Sequence, residues 1–304
     1  LFYLIKYELS TLKGFKAREF TLPFPKAIDY HKPNKPLVPN CYGIYYVLTS
    51  VCYWFILAFL GIMEAKALPL ATSVLFGGTM GLFDDMVDLK WRYKAILPVF
   101  AALPLMVLKP SDRTTIATIF FGSINLGNLF FILLIPIFVT VTTNVYNQLG
   151  GLNGLEAISG VILFSGLILA SKDLILLFIP LLSLIALSYL SYNGKAFIGN
   201  VGTFSIGLTL AVYAILMNLK LFLVISLTPF IINSLLILFS RYFLHETAET
   251  FMDEKGFLRA NKIRSLRTLI LHYRPMKEHQ AVLVICSIVA LFTMISLLAF
   301  WLIS

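Results

Sequence analysis

Charge is scarce in this chain. Of its 304 residues only 13% are charged and 59% are hydrophobic, and the mean hydropathy of +0.88 lies outside the range of ordinary soluble domains. A water-soluble two-domain protein is thereby excluded, and the composition is that of a membrane protein. Cysteine is also sparse and odd in number: Cys41, Cys52 and Cys286, two of them inside apolar runs, argue against a disulfide framework. A phosphate-binding P-loop is absent, because Gly194-Lys195 is followed by Ala196 rather than Ser or Thr. So is a zinc helix of the H-E-x-x-H type, because "HETAE" places Glu249 where the second histidine belongs. Although the net charge is +9, no RNA- or DNA-binding signature accompanies it, and no nucleic-acid partner is expected. On a polytopic chain such an excess reports orientation and contact with anionic lipid. The opening "LFYLIKYELSTLKGF" has no signal-peptide layout and is expected to be the remnant of, or exit from, a further first span.

What is abundant is apolar sequence. Nine apolar segments stand out, at roughly 45 to 63, 67 to 82, 94 to 108, 129 to 147, 155 to 171, 173 to 192, 204 to 219, 221 to 240 and 281 to 303. A crossing takes about 20 helical residues. The expected fold is therefore all-α, a polytopic integral membrane helical bundle of about nine to ten transmembrane helices. Residues 1–304 form a single domain, with 1–44 as N-terminal remnant and cytoplasmic loop and 241–280 as a long basic cytoplasmic loop. If 1–44 faces the cytoplasm, simple alternation places 83–94, 148–154, 192–203 and 241–280 there too. These loops together hold 19 of the 24 Lys and Arg residues, as the positive-inside rule requires. The polar clusters then share the cytoplasmic face.

The first cluster is "GLFDDMVDLKWRYK", in which Asp84, Asp85 and Asp88 end an apolar run and Lys94 follows closely. Like charges at helical spacing repel, and the negative end of a helix disfavours them further. Local stability does not explain them. Carboxylates so crowded suit a shared cation, and bases beside them suit phosphate; a solvated loop with basic anchors is the plainer alternative. In "NVYNQLGGLNGLEA", Asn144, Asn147 and Asn153 alternate with Gly150, Gly151 and Gly154, which allow a backbone to approach a ligand closely, though a helix-to-helix turn has similar composition. In "GKAFIGNVGTFSIG", Asn200 opens a helix whose amides suit an anion and Phe197 offers a ring for stacking, or the pair is a cap and a core residue. The last polar loop carries His272 and Arg274, placed either at lipid head groups or at a diphosphate.

In order, these stretches resemble the polyprenyl-phosphate N-acetylhexosamine-1-phosphate transferases (glycosyltransferase family 4). "DYHKPNKPLVPNCYG" (29–43) is similar to the family's D-x-H-K-P-x-K-P-x-V-P-E-x-G-G, and "AFIGNVGTFSIG" to V-F-x-G-D-x-G-T/S-x-x-x-G. "LNGLEA" and "DLKWRYK" lean toward the dolichyl-phosphate N-acetylglucosaminephosphotransferase branch. The resemblance implies transfer of N-acetylhexosamine-1-phosphate, GlcNAc-1-phosphate on this branch, from a UDP-sugar to a polyprenyl or dolichyl phosphate, releasing UMP. Its implied cofactor is Mg2+, with Mn2+ as a substitute. Its implied setting is a cytoplasm-facing site in a prokaryotic plasma membrane or the endoplasmic reticulum, and family likeness implies a homodimer. By the same resemblance Asp84, Asp85 and Lys94 are catalytic, and Asn147 and Asn200 are metal ligands. Asn153 reads uridine, Phe197 packs on uracil, and Asp88 falls at a nearby polar position of the acidic helix; the residue chemistry adds Gly151, Asp88, His272 and Arg274 as expected substrate contacts. Two positions depart from the pattern: Asn200 stands for an aspartate and Asn40 for a glutamate. A catalytically impaired homologue is thus one alternative, and a transporter or lipid flippase is the other. The flippase expects ionisable groups at mid-span, whereas these gather at segment ends. The CDP-alcohol phosphotransferases are excluded by the absence of D-G-x-x-A-R.

Overall fold

The computed structural model describes residues 24–32, 34–108, 115–118, 122–245 and 249–303. The expected remnant span within 1–23 lies outside these residues. Helix covers the body of each of the nine apolar segments, because a backbone in hydrocarbon must satisfy its own N–H and C=O groups. Five helices are long and apolar enough to cross a membrane: Glu64–Val87, Phe130–Gln148, Ile175–Tyr192, Gly199–Leu216 and Glu278–Leu302. The pair Lys220–Ser226 and Thr228–Leu244, bent by 60°, makes a sixth if taken as one span. Gly43–Phe59 and Leu155–Ser171 are apolar but shorter. This is an integral membrane protein of predominantly helical build.

The segment expected at 94 to 108 is not one helix but three, Trp91–Ile96, Pro98–Ala101 and Leu103–Leu108. Pro98 and Pro104 account for the breaks, since each lacks an N–H and its ring clashes with the preceding turn. Three short antiparallel hairpins decorate the bundle. Lys26–Ile28 pairs with Leu37–Pro39, Thr115–Thr118 with Gly122–Asn125, and Thr250–Met252 with Leu258–Ala260.

Helix Gly199–Leu216 is the axis of the bundle, buried at every residue from Val201 to Leu216. Helices Gly43–Phe59, Glu64–Val87 and Ile135–Gln148 pack around it. Without a hydrophobic drive between helices in lipid, close packing at small residues holds such contacts together. A Cβ on Gly43 would stand 2.2 Å from Gly202 Cα, and one on Gly81 2.5 Å from the Asn200 carbonyl oxygen. Backbone therefore meets backbone where the axial helix begins. Polar side chains tie the same bundle deeper down: Tyr46 Oη lies 2.6 Å from Thr209 Oγ1, and Trp54 Nε1 donates to the Leu176 carbonyl at 2.7 Å.

Candidate active site

The opening turn of the axial helix leaves amide N–H groups without intrahelical acceptors. Asp85 supplies the acceptors: Oδ1 takes the Asn200 N–H and Oδ2 the Val201 N–H, each at 2.9 Å. Gly81, one turn before Asp85 on the same helix face, lets the two backbones come close enough for this. The Cys41 thiol lies beside the same carboxylate. Burial, together with the Asp85 charge, pushes it up to about 12, so it stays protonated and donates.

The neighbouring acids differ. Asp84 is buried, and its Oδ1 accepts the Leu89 N–H at 2.9 Å and pairs with Lys94 Nζ at 3.0 Å. Its Oδ2 is buried without a hydrogen-bond partner among the described residues. The helix ends at Val87, and Asp88 turns into the left-handed region (φ 51°). Its exposed carboxylate reaches Lys94 at 3.3 Å. Among protein partners, two of the three acids are bridged by Lys94, and the third grips a helix end.

Asp85 opens onto a polar cavity of about 570 Å³. Asn40, Asn147, Gly151, Asn153, Phe197 and Asn200 line it as well, so with Asp85 these residues alone bring four separate stretches of the chain to one site. Asn147 Oδ1 accepts the Thr203 hydroxyl at 2.6 Å, which turns its carbonyl oxygen toward the mouth of the axial helix. The Asn200 side chain makes no hydrogen bond among the described residues. Phe197 is strapped in place by backbone bonds, its N–H to Pro39 and its carbonyl from Tyr42. Asn144 points elsewhere, donating to the carbonyls of Ala95 and Thr140. Asp84, Asp88, Lys94, His272 and Arg274 do not line the cavity; His272 Nδ1 instead meets the Ala260 carbonyl at 3.1 Å.

Four further cavity residues are not singled out as site residues by the sequence, although Asp29 and His31 lie in "DYHKPNKPLVPNCYG" and Glu156 in "LNGLEA". Asp29 and His31 come from the hairpin before the first described helix, Glu156 from the start of helix Leu155–Ser171, and Arg267 from the basic loop. Gly151 shows how they work. At φ 106° it needs no Cβ, its N–H donates to Glu156 Oε1 at 2.9 Å, and its carbonyl accepts Arg267 Nη1 at 2.7 Å. Burial presses the Arg267 guanidinium below its usual range while the Glu156 charge opposes that, and its Nε is left buried without a partner. An incompletely satisfied cation thus lines the same cavity as the oxygen atoms of Asp85, Asn147 and Asn200.

A family model described as glycosyl transferase family 4 matches residues 67–218, half of the chain. A protein of Sulfolobus acidocaldarius is 30% identical over 88% of this chain and 85% of its own length. The chain belongs to glycosyl transferase family 4. The Sulfolobus acidocaldarius relative and one of Saccharolobus solfataricus, 28% identical over 89% of this chain and 86% of its own length, are provisionally named UDP-N-acetylglucosamine–dolichyl-phosphate N-acetylglucosaminephosphotransferases. A Dictyostelium discoideum protein with that name outright is 30% identical over 54% of this chain and 50% of its own. The family match spans Asp85, Asn147, Asn153, Phe197 and Asn200 of the cavity and ends before Arg267.

Proposed function

We propose that this glycosyl transferase family 4 protein moves GlcNAc-1-phosphate from UDP-GlcNAc to dolichyl or a related polyprenyl phosphate, releasing UMP. The observation that carries the reading is the convergence of Asp85, Asn147, Asn153, Phe197, Asn200 and Arg267 on one cavity, in a chain whose relatives are named for that transfer. Asn153 and Phe197 would bind the uracil, one by hydrogen bonding and the other with its ring face. Arg267 would bind the diphosphate, for which its free N–H suits it.

A hard divalent cation fits the same cavity, because Asp85, Asn147 and Asn200 offer oxygen atoms with lone pairs left over. These three residues would hold Mg2+ or Mn2+, and the bound ion would supply neutralisation of diphosphate charge. Charge is the main obstacle to the reaction. Two unit charges 4 Å apart repel by about 4 kcal/mol at an effective dielectric of 20. A lipid-phosphate oxygen forms a bond to the β-phosphorus, and the bond from that phosphorus to the α–β bridging oxygen breaks, leaving with UMP. One anhydride replaces another, and the attacking phosphate is already ionised near neutral pH. Lys94 pairs with both Asp84 and Asp88 and offsets one of their two charges, and of the three clustered acids only Asp85 lines the cavity.

The cavity is built from positions 27–31, 40, 85, 147–156, 191, 197–203, 250 and 267, which lie in, or within two residues of, the loops that alternation of the nine segments assigns to the Lys- and Arg-rich side. This favours a site facing the cytoplasm. Helices Gly43–Phe59 and Leu155–Ser171, each shorter than a standard span, would cross upright by thinning the bilayer and by snorkelling of flanking residues, and the broken 91–108 stretch would complete the nine crossings. Purified protein given UDP-GlcNAc, dolichyl or undecaprenyl phosphate and Mg2+ is expected to release UMP, and EDTA to stop it. No UMP with any UDP-N-acetylhexosamine would refute the reading. Asn200→Asp adds a formal charge to the oxygen ligands, so the Mg2+ concentration giving half-maximal UMP release should fall by about tenfold. An unchanged Mg2+ dependence would remove Asn200 from the metal site.

A further inference from the structure

Asn153 is buried, 3% exposed, yet it lines the cavity. Its surroundings are unusually one-sided. Nδ2 donates to Asp29 Oδ2 at 2.7 Å and to Glu278 Oε2 at 3.3 Å, while its backbone N–H donates to Glu278 Oε1 at 2.9 Å. The two acids stand 124 and 125 residues away in sequence, one before and one after. Each is held in turn: the His31 N–H donates to Asp29 Oδ1 at 3.1 Å, His31 Nδ1 lies 3.2 Å from Glu278 Oε1, and Lys32 Nζ lies 3.3 Å from Glu278 Oε2. Asp29, His31 and Glu278 are close enough together to suggest a metal site. Their oxygens are already occupied by Lys32, His31 and Asn153, so the cluster serves protein donors instead.

An ionised carboxylate only accepts hydrogen bonds. The carboxamide orientation of an asparagine is usually decided by weighing its neighbours. Here both neighbours demand the NH2 group, and Oδ1, which has no partner among the described residues, is the atom left for the cavity. We propose that Asp29 and Glu278 are positioning residues that fix the polarity of the Asn153 amide, so that the site accepts a ring N–H and thereby selects uracil over cytosine. Uracil carries a hydrogen at N3, whereas cytosine has a lone pair there and would meet Oδ1 acceptor to acceptor. A buried polar group left facing its own kind loses the bond and its solvation together. This inference rests on the nucleotide-sugar reading above and adds the source of its base selectivity.

The test is calorimetric binding of UDP and of CDP, each with Mg2+, to the full chain in detergent. The unmodified protein is expected to bind UDP at least about tenfold tighter than CDP. In Asp29→Asn/Glu278→Gln both neighbours can donate as well as accept, so the amide can turn over. The UDP-to-CDP ratio should fall toward one, with UDP weakened about tenfold and CDP no weaker than before. A merely structural role would weaken both nucleotides alike and leave the ratio where it was. An unchanged ratio in the folded variant overturns the inference, as does an unmodified protein that binds both nucleotides equally. Should the double variant fail to fold, Asp29→Asn alone carries the same expectation, since it sits on the shorter of the two Nδ2 bonds. Binding of neither nucleotide by the unmodified chain instead overturns the nucleotide-sugar reading itself.

Discussion

Asp85→Asn is expected to lower UMP release by about two to three orders of magnitude, with little change in how much protein folds. The carboxylate accepts two backbone N–H groups, one on each oxygen. A carboxamide has one oxygen, so its NH2 would face an amide N–H that it cannot accept. Leaving such a donor unsatisfied costs about 1 to 3 kcal/mol. The cost falls where it matters for chemistry, since the first turn of the axial helix carries Asn200 and Thr203 and through Thr203 orients Asn147. The variant also removes the one formal negative charge among the proposed metal ligands. Both effects act on the rate, so kcat should fall while the melting temperature moves by only a few degrees. Activity within threefold of the unmodified protein would show that Asp85 is a helix cap and nothing more.

Gly81→Ala should be nearly as damaging by a different route. Its Cβ would meet the Asn200 carbonyl oxygen at 2.5 Å and Val201 Cα at 2.6 Å. Those are backbone atoms, which cannot rotate away, so the helices must separate. Overpacking of this kind costs about 1 to 3 kcal/mol. Because Asp85 follows Gly81 by four residues, the separation pulls its carboxylate from the same two amides. A lower melting temperature together with at least about a hundredfold loss of UMP release is expected. Gly61→Ala is the control, since a Cβ there meets nothing within 4 Å and its φ of 70° adds only local strain. Equal behaviour of the two variants would mean that the helix contact does not set the site.

The sequence made some of this visible and hid the rest for physical reasons. Hydrocarbon imposes helix on long apolar runs, so the positions of the nine segments could be read directly, while the proline-broken stretch at 91–108 and the 60° bend between Ser226 and Thr228 departed in kind. Asp85, Asn147, Asn153, Phe197 and Asn200 were readable because each sits in a polar cluster at the end of such a run. The pairing of Asp29 and Glu278 with Asn153 was not, although Asp29 opens the quoted "DYHKPNKPLVPNCYG" motif. Their importance lies in meeting Asn153 across more than 120 residues, and no local pattern encodes that. Arg267 was hidden among eight Lys and Arg residues of one loop. On helix Leu266–Tyr273, a five-residue step turns His272 about 140° away from Arg267, which is why one residue lines the cavity and the other pairs with a backbone carbonyl. The acids at 84, 85 and 88 illustrate the same limit. Their crowding announced unusual chemistry, but the turn of about 100° between adjacent helix positions sends Asp85 to the axial helix and Asp84 to Lys94, which Asp88 also reaches from beyond the helix end.

The most direct measurement uses UDP-GlcNAc labelled with 32P at the β-phosphorus, incubated with the purified chain, dolichyl phosphate and Mg2+, then partitioned between organic and aqueous phases. Label that moves into the lipid, with unlabelled UMP left in water, is the predicted result. Label that remains in the aqueous phase as UDP would mean that only the sugar travels, and would contradict the account.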